Sequence, residues 1–290
     1  MENSYTTMKK NIAGVVVLYN PGKDVVGNIQ SYIDWISYLY IIDNSENSNS
    51  FIKEAFSGNT KVEYIYNNNN IGIAAALNIA VEKAVKSGYN FLLTMDQDSV
   101  FEEGSLKSLF MILTDSSSIG IYSPFHKNRF FTSPPRTVGM EEVSDVMTSG
   151  NILNLSAVSK AGKFKEEYFI DFVDVEYCFR LRKNGFKIMR VNNSFLIHNE
   201  ANLSKRKFFG FSIYPSNHSD IRWYYKIRNY LYTKKEYQKY FEDYFVDKKK
   251  YVLNNILKVL FFEKRKIKKF KMMFKGYNHF HKNILGKLSA

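Results

Sequence analysis

The first 105 residues alternate between continuous apolar runs and segments with helical spacing. The apolar runs occur in IAGVVVLYN, YLYIIDNS, VEYIYNNNN and YNFLLTMDQDS, and they lack the polar alternation of a strand with one solvated face. The segments between them place apolar residues at helical spacing, and the alanine-rich one ends at Gly88. This order predicts an α/β fold in which helices flank a mostly parallel sheet.

Each of the four predicted strands ends in polar residues. These ends are Tyr19-Asn20-Pro21, Asp43-Asn44-Ser45, residues 67–72 and Asp96-Gln97-Asp98. Ligands of parallel α/β sheets bind beyond the carboxyl ends of the strands. We therefore expect the four polar ends to form one rim around a ligand.

Asp96 and Asp98 are separated by one residue at the end of the fourth predicted strand. Residues two apart on a strand face the same way, and two neighbouring carboxylates repel each other unless a cation lies beside them. Carboxylate oxygens are the ligands that Mg²⁺ and Mn²⁺ prefer. The pair predicts a divalent cation site, although two solvated aspartates in a turn give the same short pattern.

Two further segments carry candidate binding residues. Asn70, Gly72 and Asn78 lie where a predicted helix begins, so that unpaired backbone N–H groups are available to an anion or polar ligand. The alternative is a helix cap with a glycine in the turn. Asp43 could accept hydrogen bonds from a base or a ribose, or act as a turn residue.

A third acidic group opens a later predicted helix. Asp171, Asp174 and Glu176 lie at its start, where acidic side chains complement the helix dipole. Alternatively, one of them acts as a general base near an acceptor hydroxyl, which requires a carboxylate that is free of strong pairing.

The 290 residues carry a formal net charge of +13, and most of this excess lies near the end of the chain. Between Lys234 and Ala290, 16 lysine and arginine residues accompany five acidic ones. Cys178 is the only cysteine, so an intramolecular disulfide and a four-cysteine zinc site are excluded, and a cytoplasmic location fits best. No apolar stretch approaches the roughly 20 residues that a membrane-spanning helix requires.

The basic C-terminal segment has helical periodicity from Tyr251 to Phe274, with apolar residues separated by lysines and Arg265. We expect a basic amphipathic helix there. Such a helix could lie peripherally on an anionic membrane, pack on the rest of the chain, or join two copies in a homodimer.

Two other functional classes fit part of the sequence. The positive charge and the aromatic residues suit a nucleic-acid-binding protein, but carboxylates clustered at a ligand rim repel phosphates, so no nucleic-acid partner is expected. A nucleotidyltransferase would also use an α/β sheet and acidic metal ligands. The sequence lacks the glycine-rich basic loop that grips a triphosphate.

Six segments together resemble the inverting glycosyltransferases of family 2, and in particular their bacterial rhamnosyltransferase branch. The segments are VVVLYNP, IIDNSE, NNIGIAAALN, LLTMDQDS, TSGNILNLSAVSKAGKF and YFIDFVDVEYCFRLRKNGFK. The resemblance implies a GT-A fold, which is Rossmann-like. It makes residues 1–232 the catalytic domain, with a nucleotide-sugar half of about 12–105 and an acceptor half of about 106–232, followed by a basic helical tail over 233–290.

The resemblance also implies roles for single residues. The nucleoside would contact Tyr19, Asn20, Asp43, Asn70 and Gly72. Asp96 would contact the ribose or the metal, Asp98 would ligate the metal that bridges the donor diphosphate, and His198 would bind the metal or the diphosphate. The metal would be Mg²⁺ or Mn²⁺.

Other roles concern the acceptor side. The resemblance implies that Asp174 is the general base, with Asp171 as a rival because Val173 replaces the glutamate that precedes the base in the family. The acceptor side would include Ser149, Gly150 and Asn151 within the TSGN motif, together with Asp171. Further contacts to phosphate or acceptor would come from a tyrosine-rich segment, through Arg222, Tyr225, Arg228 and Asn229.

The function that follows from the resemblance is transfer of L-rhamnose from dTDP-β-L-rhamnose to a glycan acceptor, with inversion. The acceptor would be a lipid-linked intermediate of O-antigen, capsule or cell-wall polysaccharide. A UDP-hexose or a UDP-N-acetylhexosamine is the competing donor. The enzyme would work in the cytoplasm or on the inner face of the cytoplasmic membrane.

Overall fold

A mixed sheet organises the first of two compact units, which comprises residues 1–166 and 177–199. The computed structural model describes residues 11–114, 116–127, 138–198, 203–208 and 210–289. Within these residues the sheet has nine strands. They are β1 (Ile12–Leu18), β2 (Tyr38–Asp43), β3 (Val62–Tyr66), β4 (Phe91–Asp96), β5 (Ser99–Phe101), β6 (Ile119–Lys127), β7 (Met140–Glu142), β8 (Asn151–Asn154) and β9 (Lys187–His198).

Helices alternate with these strands, as the sequence predicts. They are α1 (Asp24–Ile33), α2 (Ser50–Ala55), α3 (Ile73–Lys86), α4 (Ser105–Met111), α5 (Leu155–Ala161) and α6 (Val173–Lys183). The strand order is β3-β2-β1-β4-β8-β6-β9-β5, and β7 pairs with β9. Neighbours from β3 to β4 are parallel, whereas β8 joins β4 in the antiparallel direction. The predicted α/β class and mostly parallel sheet are confirmed.

The register of the parallel strands brings their polar ends to one edge. Val17 pairs with Asp96, Leu18 pairs with Asp43, and Asp43 pairs with Tyr66. All seven residues of β1 are buried, because the strand lies at the centre of the parallel half and is covered on both faces. The apolar runs thus supply the core, and the polar residues that follow them are placed together beyond it.

The second unit comprises residues 167–176 and 200–290. It contains a hairpin and three helices, namely β10 (Arg206–Phe208), β11 (Phe211–Ile213), α7 (Asp220–Tyr237), α8 (Glu242–Phe262) and α9 (Lys266–His281). Helix α9 packs closely on α7 at Gly276, where an added Cβ would lie 2.5 Å from the carbonyl oxygen of Tyr224. Glycine is therefore required at this contact.

Helix α7 belongs to the second unit because its buried side chains bind the segment around residue 168. Arg228 donates to the carbonyl oxygens of Glu167 and Tyr168, and Asn229 donates to those of Tyr168, Ile170 and Asp171. Helix α7 thus lies wholly in the second compact unit, whereas the boundary between catalytic domain and tail predicted from the sequence, after residue 232, falls within this helix. These contacts join residues about 60 positions apart, which no local pattern reveals.

The predicted basic helical extension at the C-terminal end is confirmed, but residues 251–274 belong to two helices and not to one continuous helix. Helix α8 ends at Phe262 and α9 begins at Lys266. Arg265 between them has a φ of 57°, in the left-handed region. Glu263 and Lys269 form a buried ion pair across the break, with 2.6 Å between Oε2 and Nζ. Among the described residues, none of the helices has the length and apolar character needed to cross a bilayer.

Candidate active site

Three potential metal ligands meet at the edge of the sheet in the first unit. Asp96 ends β4 and Asp98 follows it, while His198 ends β9. Antiparallel pairing of β5 with β9 places Ser99 opposite His198, so the histidine is brought back beside the two aspartates. Candidate ligand atoms of Asp96, Asp98 and His198 all lie within 4.8 Å of one another.

The imidazole of His198 is close to both carboxylates. Its Nδ1 lies 3.9 Å from Oδ2 of Asp96 and 3.7 Å from Oδ1 of Asp98. The same nitrogen shares a hydrogen bond of 2.7 Å with the hydroxyl of Ser99, which helps to fix the ring. Two carboxylates and an imidazole are a donor set that suits a hard or borderline divalent cation such as Mg²⁺ or Mn²⁺. The residues present therefore fit the predicted metal.

Gln97, between the two aspartates, ties this turn to the end of β1. Its Oε1 accepts from the backbone N–H of Tyr19 at 2.8 Å, and its Nε2 donates to the carbonyl of Tyr19 at 3.3 Å. The side chain of Asn28 in α1 donates to the carbonyl of Gln97 at 2.8 Å. In the sequence Gln97 is only the residue between the two aspartates, whereas in the structure its hydrogen bonds hold this turn in place.

The TSGN segment lies directly behind Asp96. The hydroxyl of Ser149 accepts from the backbone N–H of Asp96 at 3.0 Å, and Gly150 N–H donates to the carbonyl of Thr94 at 2.7 Å. Ser149, Gly150 and Asn151 are all buried. These three residues are predicted to contact the acceptor directly. Their burial and hydrogen bonds favour a different role, which is to hold the backbone of Asp96 in position.

His126 completes the support of Ser149. Burial lowers the pKa of His126 to about 4, so the ring is neutral at physiological pH. Its Nε2 lies 2.6 Å from the carbonyl oxygen of Ser149, which can only accept a hydrogen bond. The ring therefore carries its proton on Nε2. This role is not predicted from the sequence, since nothing in the FHK sequence around His126 distinguishes it from a surface histidine.

Asp43, at the end of β2, is 0% exposed. Its Oδ1 accepts from the backbone N–H of Ser45 at 2.9 Å, while its Oδ2 accepts from the side chains of Asn49, at 2.7 Å, and Tyr64. Burial raises the pKa of Asp43, but these hydrogen bonds outweigh burial and the net pKa is lowered. The carboxylate thus organises the loop after β2, and a contact with the nucleoside stays a prediction.

The other predicted nucleoside contacts surround this loop. The backbone N–H of Asn20 donates to the hydroxyl of Ser45 at 2.8 Å, and the exposed Tyr19 donates its hydroxyl to Glu46 at 3.2 Å. Asn70 Oδ1 accepts from the N–H of Gly72 at 3.0 Å. Tyr19, Asn20, Asn70 and Gly72 therefore lie on the same polar rim as Asp43, as their positions at strand ends predict.

Hydrogen bonds of Asn44 and Asn67 connect the polar ends of β2 and β3. Asn67 donates to the side-chain oxygen of Asn44 at 2.8 Å, and Asn44 donates to the carbonyl of Gly72 at 3.1 Å. Asn78, in contrast, binds the backbone of Phe164 through both its oxygen and its nitrogen. Asn78 therefore has a structural role, because its side-chain amide binds the backbone within the core.

In the second unit, Asp171 is buried between two cations, and its side chain is 5% exposed. Arg222 donates to both carboxylate oxygens, at 2.6 and 3.1 Å, and the ammonium group of Lys226 lies 3.1 Å away. Burial raises the pKa of Asp171, but Lys226 and Arg222 outweigh it and hold the pKa far below its usual range. Asp171 is therefore a permanently ionised and strongly paired carboxylate.

The backbone around Asp171 adopts unusual dihedral angles. Phe169, Asp171 and Phe172 have φ values of 65°, 63° and 65°. Side chains other than glycine adopt such angles at a cost of about 1–3 kcal/mol each. The hydrogen bonds from Asn229 to the carbonyl groups of Tyr168, Ile170 and Asp171 offset this cost. They fix the segment that enters α6, where Asp174 accepts from the N–H of Val175 at 2.9 Å.

Arg228 is placed differently from the phosphate-binding position that the sequence predicts. It is 0% exposed, and its five N–H groups donate within the second unit. The acceptors are Asn229, Tyr224, Gly286, Glu167 and Tyr168. The geometry does not support a contact with the donor, because every N–H of the guanidinium is already used.

The sequence model of the family described as Glycosyl transferase family 2 matches residues 15–183. The chain belongs to this family. The matched range of this family 2 glycosyltransferase includes most of β1, all of β2, β3 and β4, both aspartates of the metal cluster and Asp174.

Curated relatives of this family 2 glycosyltransferase extend the match. The dTDP-rhamnosyl transferase RfbF of Shigella flexneri is 28% identical over 240 residues, which cover 77% of this chain and 79% of RfbF. The low-salt glycan biosynthesis hexosyltransferase Agl10 of Haloferax volcanii is 21% identical over 216 residues, covering 67% of this chain and 69% of Agl10.

Solved structures share the fold. GalNAc-T7 with UDP, GalNAc and Mn²⁺ matches with a TM-score of 0.62 and 13% identity, over 81% of this chain and 49% of GalNAc-T7, so the chain spans about half of that protein. The mannosyltransferase PcManGT from Pyrobaculum calidifontis, in complex with GDP-Man and Mn²⁺, gives a TM-score of 0.57 and 10% identity, over 78% of this chain and 65% of PcManGT. The predicted GT-A fold is confirmed.

Proposed function

We propose that this family 2 glycosyltransferase transfers L-rhamnose from dTDP-β-L-rhamnose to a hydroxyl group of a glycan. The observation that carries the transferase chemistry is the cluster of Asp96, Asp98 and His198 at the carboxyl edge of parallel strands. The choice of rhamnose is supported by the identity with RfbF across most of both chains. The acceptor class is a lipid-linked intermediate of a surface polysaccharide.

The cluster would hold the cation and the donor diphosphate. Asp96, Asp98 and His198 are the residues that would bind Mg²⁺ or Mn²⁺. A bound cation would supply positive charge that stabilises the departing diphosphate. Gln97 keeps the two carboxylates together through Tyr19 and Asn28, so that they need not rearrange when the donor binds.

Asp174 is the proposed general base. It takes the proton of the acceptor hydroxyl while that oxygen bonds to the anomeric carbon and the bond from this carbon to the diphosphate breaks. This single displacement inverts the configuration and yields an α-L-rhamnoside. Asp171 is a poor base, since both of its oxygens are paired with cations and its pKa is held far below its usual range. The pairing argues against Asp171 as the base.

A thermal-shift panel tests the donor. The free protein is heated with dTDP-rhamnose, UDP-sugars or GDP-sugars, each with and without Mn²⁺, because a ligand that binds the folded form raises the midpoint of unfolding. We expect the largest increase with dTDP-rhamnose and Mn²⁺ together. No stabilisation by any sugar nucleotide in the presence of Mn²⁺ would contradict the transferase proposal.

The same panel decides the second candidate donor. The similarity to the hexosyltransferase Agl10 favours a hexose. A shift with a UDP-hexose or a UDP-N-acetylhexosamine that exceeds the shift with dTDP-rhamnose would replace rhamnose in the proposal and leave the reaction class unchanged.

A matched pair of variants tests the base. Asp174→Asn should retain the thermal shift with donor and Mn²⁺. Its rate of transfer should fall by more than about 100-fold, because a general base usually accelerates a reaction by about 10²- to 10⁴-fold. Normal turnover by Asp174→Asn, measured as release of dTDP, would refute the assignment. Asp171→Asn would then be the next variant to assay.

A further inference from the structure

Helix α8 carries exposed apolar residues on the side opposite its buried residues. Phe245 and Val259 are buried on the inner face. At 100° per residue, the outer apolar residues fall within a sector of about 100° on the opposite side. We call them the outer stripe of α8, and they are Val246, Leu253, Leu257, Leu260 and Phe261, all exposed.

The β10–β11 hairpin extends this apolar surface. The rings of Phe208 and Phe262 meet edge to face with centroids 5.4 Å apart. A cavity of about 320 Å³ lies between β11 and α8 and is lined by Ile213, Leu257 and Phe261, among others. Phe211 at the hairpin tip is 75% exposed. Contiguous apolar surface of this kind usually marks an interaction site.

The charges around the apolar surface are mostly positive, although acidic residues flank Val246 and one of them, Asp247, pairs with Lys250. Basic side chains occur in or beside the β10–β11 hairpin and α8, at Lys205, Arg206, Lys207, Lys249, Lys250, Lys258 and Lys264. In residues 203–213 and 248–264 the acidic residue is Glu263, which is buried and paired with Lys269. The exposed part of this surface therefore combines large apolar side chains with a strong positive field.

We propose that the outer stripe of α8 and the β10–β11 hairpin bind an anionic lipid surface. Apolar side chains enter the boundary between headgroups and acyl chains, and lysines beside them attract acidic headgroups. The partner is a bilayer that contains lipids such as phosphatidylglycerol. Binding needs neither donor nor acceptor, so the proposal stands or falls separately from sugar transfer.

Two other occupants fit this surface less well. Nucleic acid would use the lysines, but it would leave Leu253, Leu257 and Leu260 without a partner, since binding to phosphates or stacking on bases does not use aliphatic side chains. A second copy docked through the same face would bring two lysine-rich surfaces together. A bilayer uses the charge and the apolar stripe at once.

The test is sedimentation of the full chain with vesicles. We expect binding to vesicles of phosphatidylcholine mixed with phosphatidylglycerol, weaker binding as salt is raised above about 0.15 M, and little binding to phosphatidylcholine alone. The double variant Leu253→Gln, Leu257→Gln should lower the partition coefficient by about tenfold. Lys249→Gln with Lys250→Gln should lower it by about tenfold on acidic vesicles.

A matched control uses exposed apolar residues of the first unit. Val85→Gln with Met111→Gln removes two side chains that are 44% and 58% exposed and should bind vesicles like the unaltered chain. Circular dichroism should show the same unfolding midpoint for each variant, because all of the altered side chains are exposed.

Three results would overturn the proposal. The first is equal binding of the α8 leucine variant and the unaltered chain to acidic vesicles. The second is tight binding to duplex oligonucleotide without binding to vesicles. The third is a dimer in light scattering that the leucine variant dissociates, again without vesicle binding.

Discussion

Two acidic clusters of the chain differ in how their charge is balanced. Asp96 and Asp98 lie beside an imidazole, whereas Asp171 lies between a guanidinium and an ammonium group. The side chains of Asp96 and Asp98 are 36% and 49% exposed, whereas that of Asp171 is 5% exposed. The protein itself neutralises Asp171, which suits a structural carboxylate. The charge of the first cluster suits a cation that arrives with a ligand.

The largest expected effect concerns the first cluster. Asp98→Ala should abolish the Mn²⁺-dependent thermal shift with the donor and lower kcat/KM by more than about 1,000-fold, because one charged metal ligand is lost. Thermal shift and release of nucleoside diphosphate are the measurements. Unchanged donor binding in the presence of Mn²⁺ would show that Asp98 is not a metal ligand and would remove the contrast with Asp171.

The second prediction concerns the stability of the neutralised cluster. Asp171→Asn should lower the free energy of unfolding by about 3 kcal/mol, because it leaves Arg222 and Lys226 without their buried partner. Urea unfolding followed by circular dichroism measures the change. Asp220→Asn is the control, since it breaks the exposed ion pair with Arg265 and should cost less than about 1 kcal/mol. Similar losses for the two variants would contradict the interpretation.

The third prediction follows from His218, which lies near the same cations. Burial first, and then the charges of Lys226 and Arg222, lower its pKa to about 3. In the unfolded chain His218 has a pKa of about 6.5, so it takes up a proton there before it does so in the folded protein. The free energy of unfolding is therefore highest above this pH and decreases below it. Between pH 6.5 and 5 the loss should be about 1.6 kcal/mol.

His218→Gln isolates this contribution from the other histidines. The free energy of unfolding of this variant should depend less on pH in that interval, by the same amount. A pH dependence identical to that of the unaltered chain would show that His218 is protonated alike in both states.

The smallest expected effect concerns the positioning of the first cluster. Gln97→Ala should weaken the apparent affinity for Mn²⁺ by about tenfold and change kcat little, because the two carboxylates lose their tie to Tyr19. Titration of activity with Mn²⁺ measures both values. Gln30→Ala, at an exposed position of α1, is the control. A lower kcat with unchanged metal affinity would contradict a positioning role.

The parts of the fold that sequence analysis predicts correctly depend on local patterns. The strands β1 to β4 are continuous apolar runs, and the polar residues at their ends meet because parallel strands end at one edge. Asp96 and Asp98 need only the two-residue period of a strand to be recognised as a pair. These features require no knowledge of distant contacts.

The features that sequence analysis misses depend on residues far apart in the chain. The phosphate-binding role predicted for Arg228 ignores acceptors at Glu167, Tyr168 and Gly286, which lie about 60 positions away. Asp171 looks like a possible base until Arg222 and Lys226 are placed beside it. The predicted single tail helix overlooks the left-handed backbone at Arg265. A lysine-rich apolar pattern gives no sign of such a break.

The bond between Arg228 and Gly286 also bears on the order of folding. The guanidinium donates to a carbonyl 58 residues further along the chain. Because a protein is synthesised from its amino end, Arg228 is made before that carbonyl exists. The second unit can therefore complete its internal bonding only after residue 286 has been synthesised. Until then, the N–H group of Arg228 that binds the carbonyl of Gly286 must donate to water.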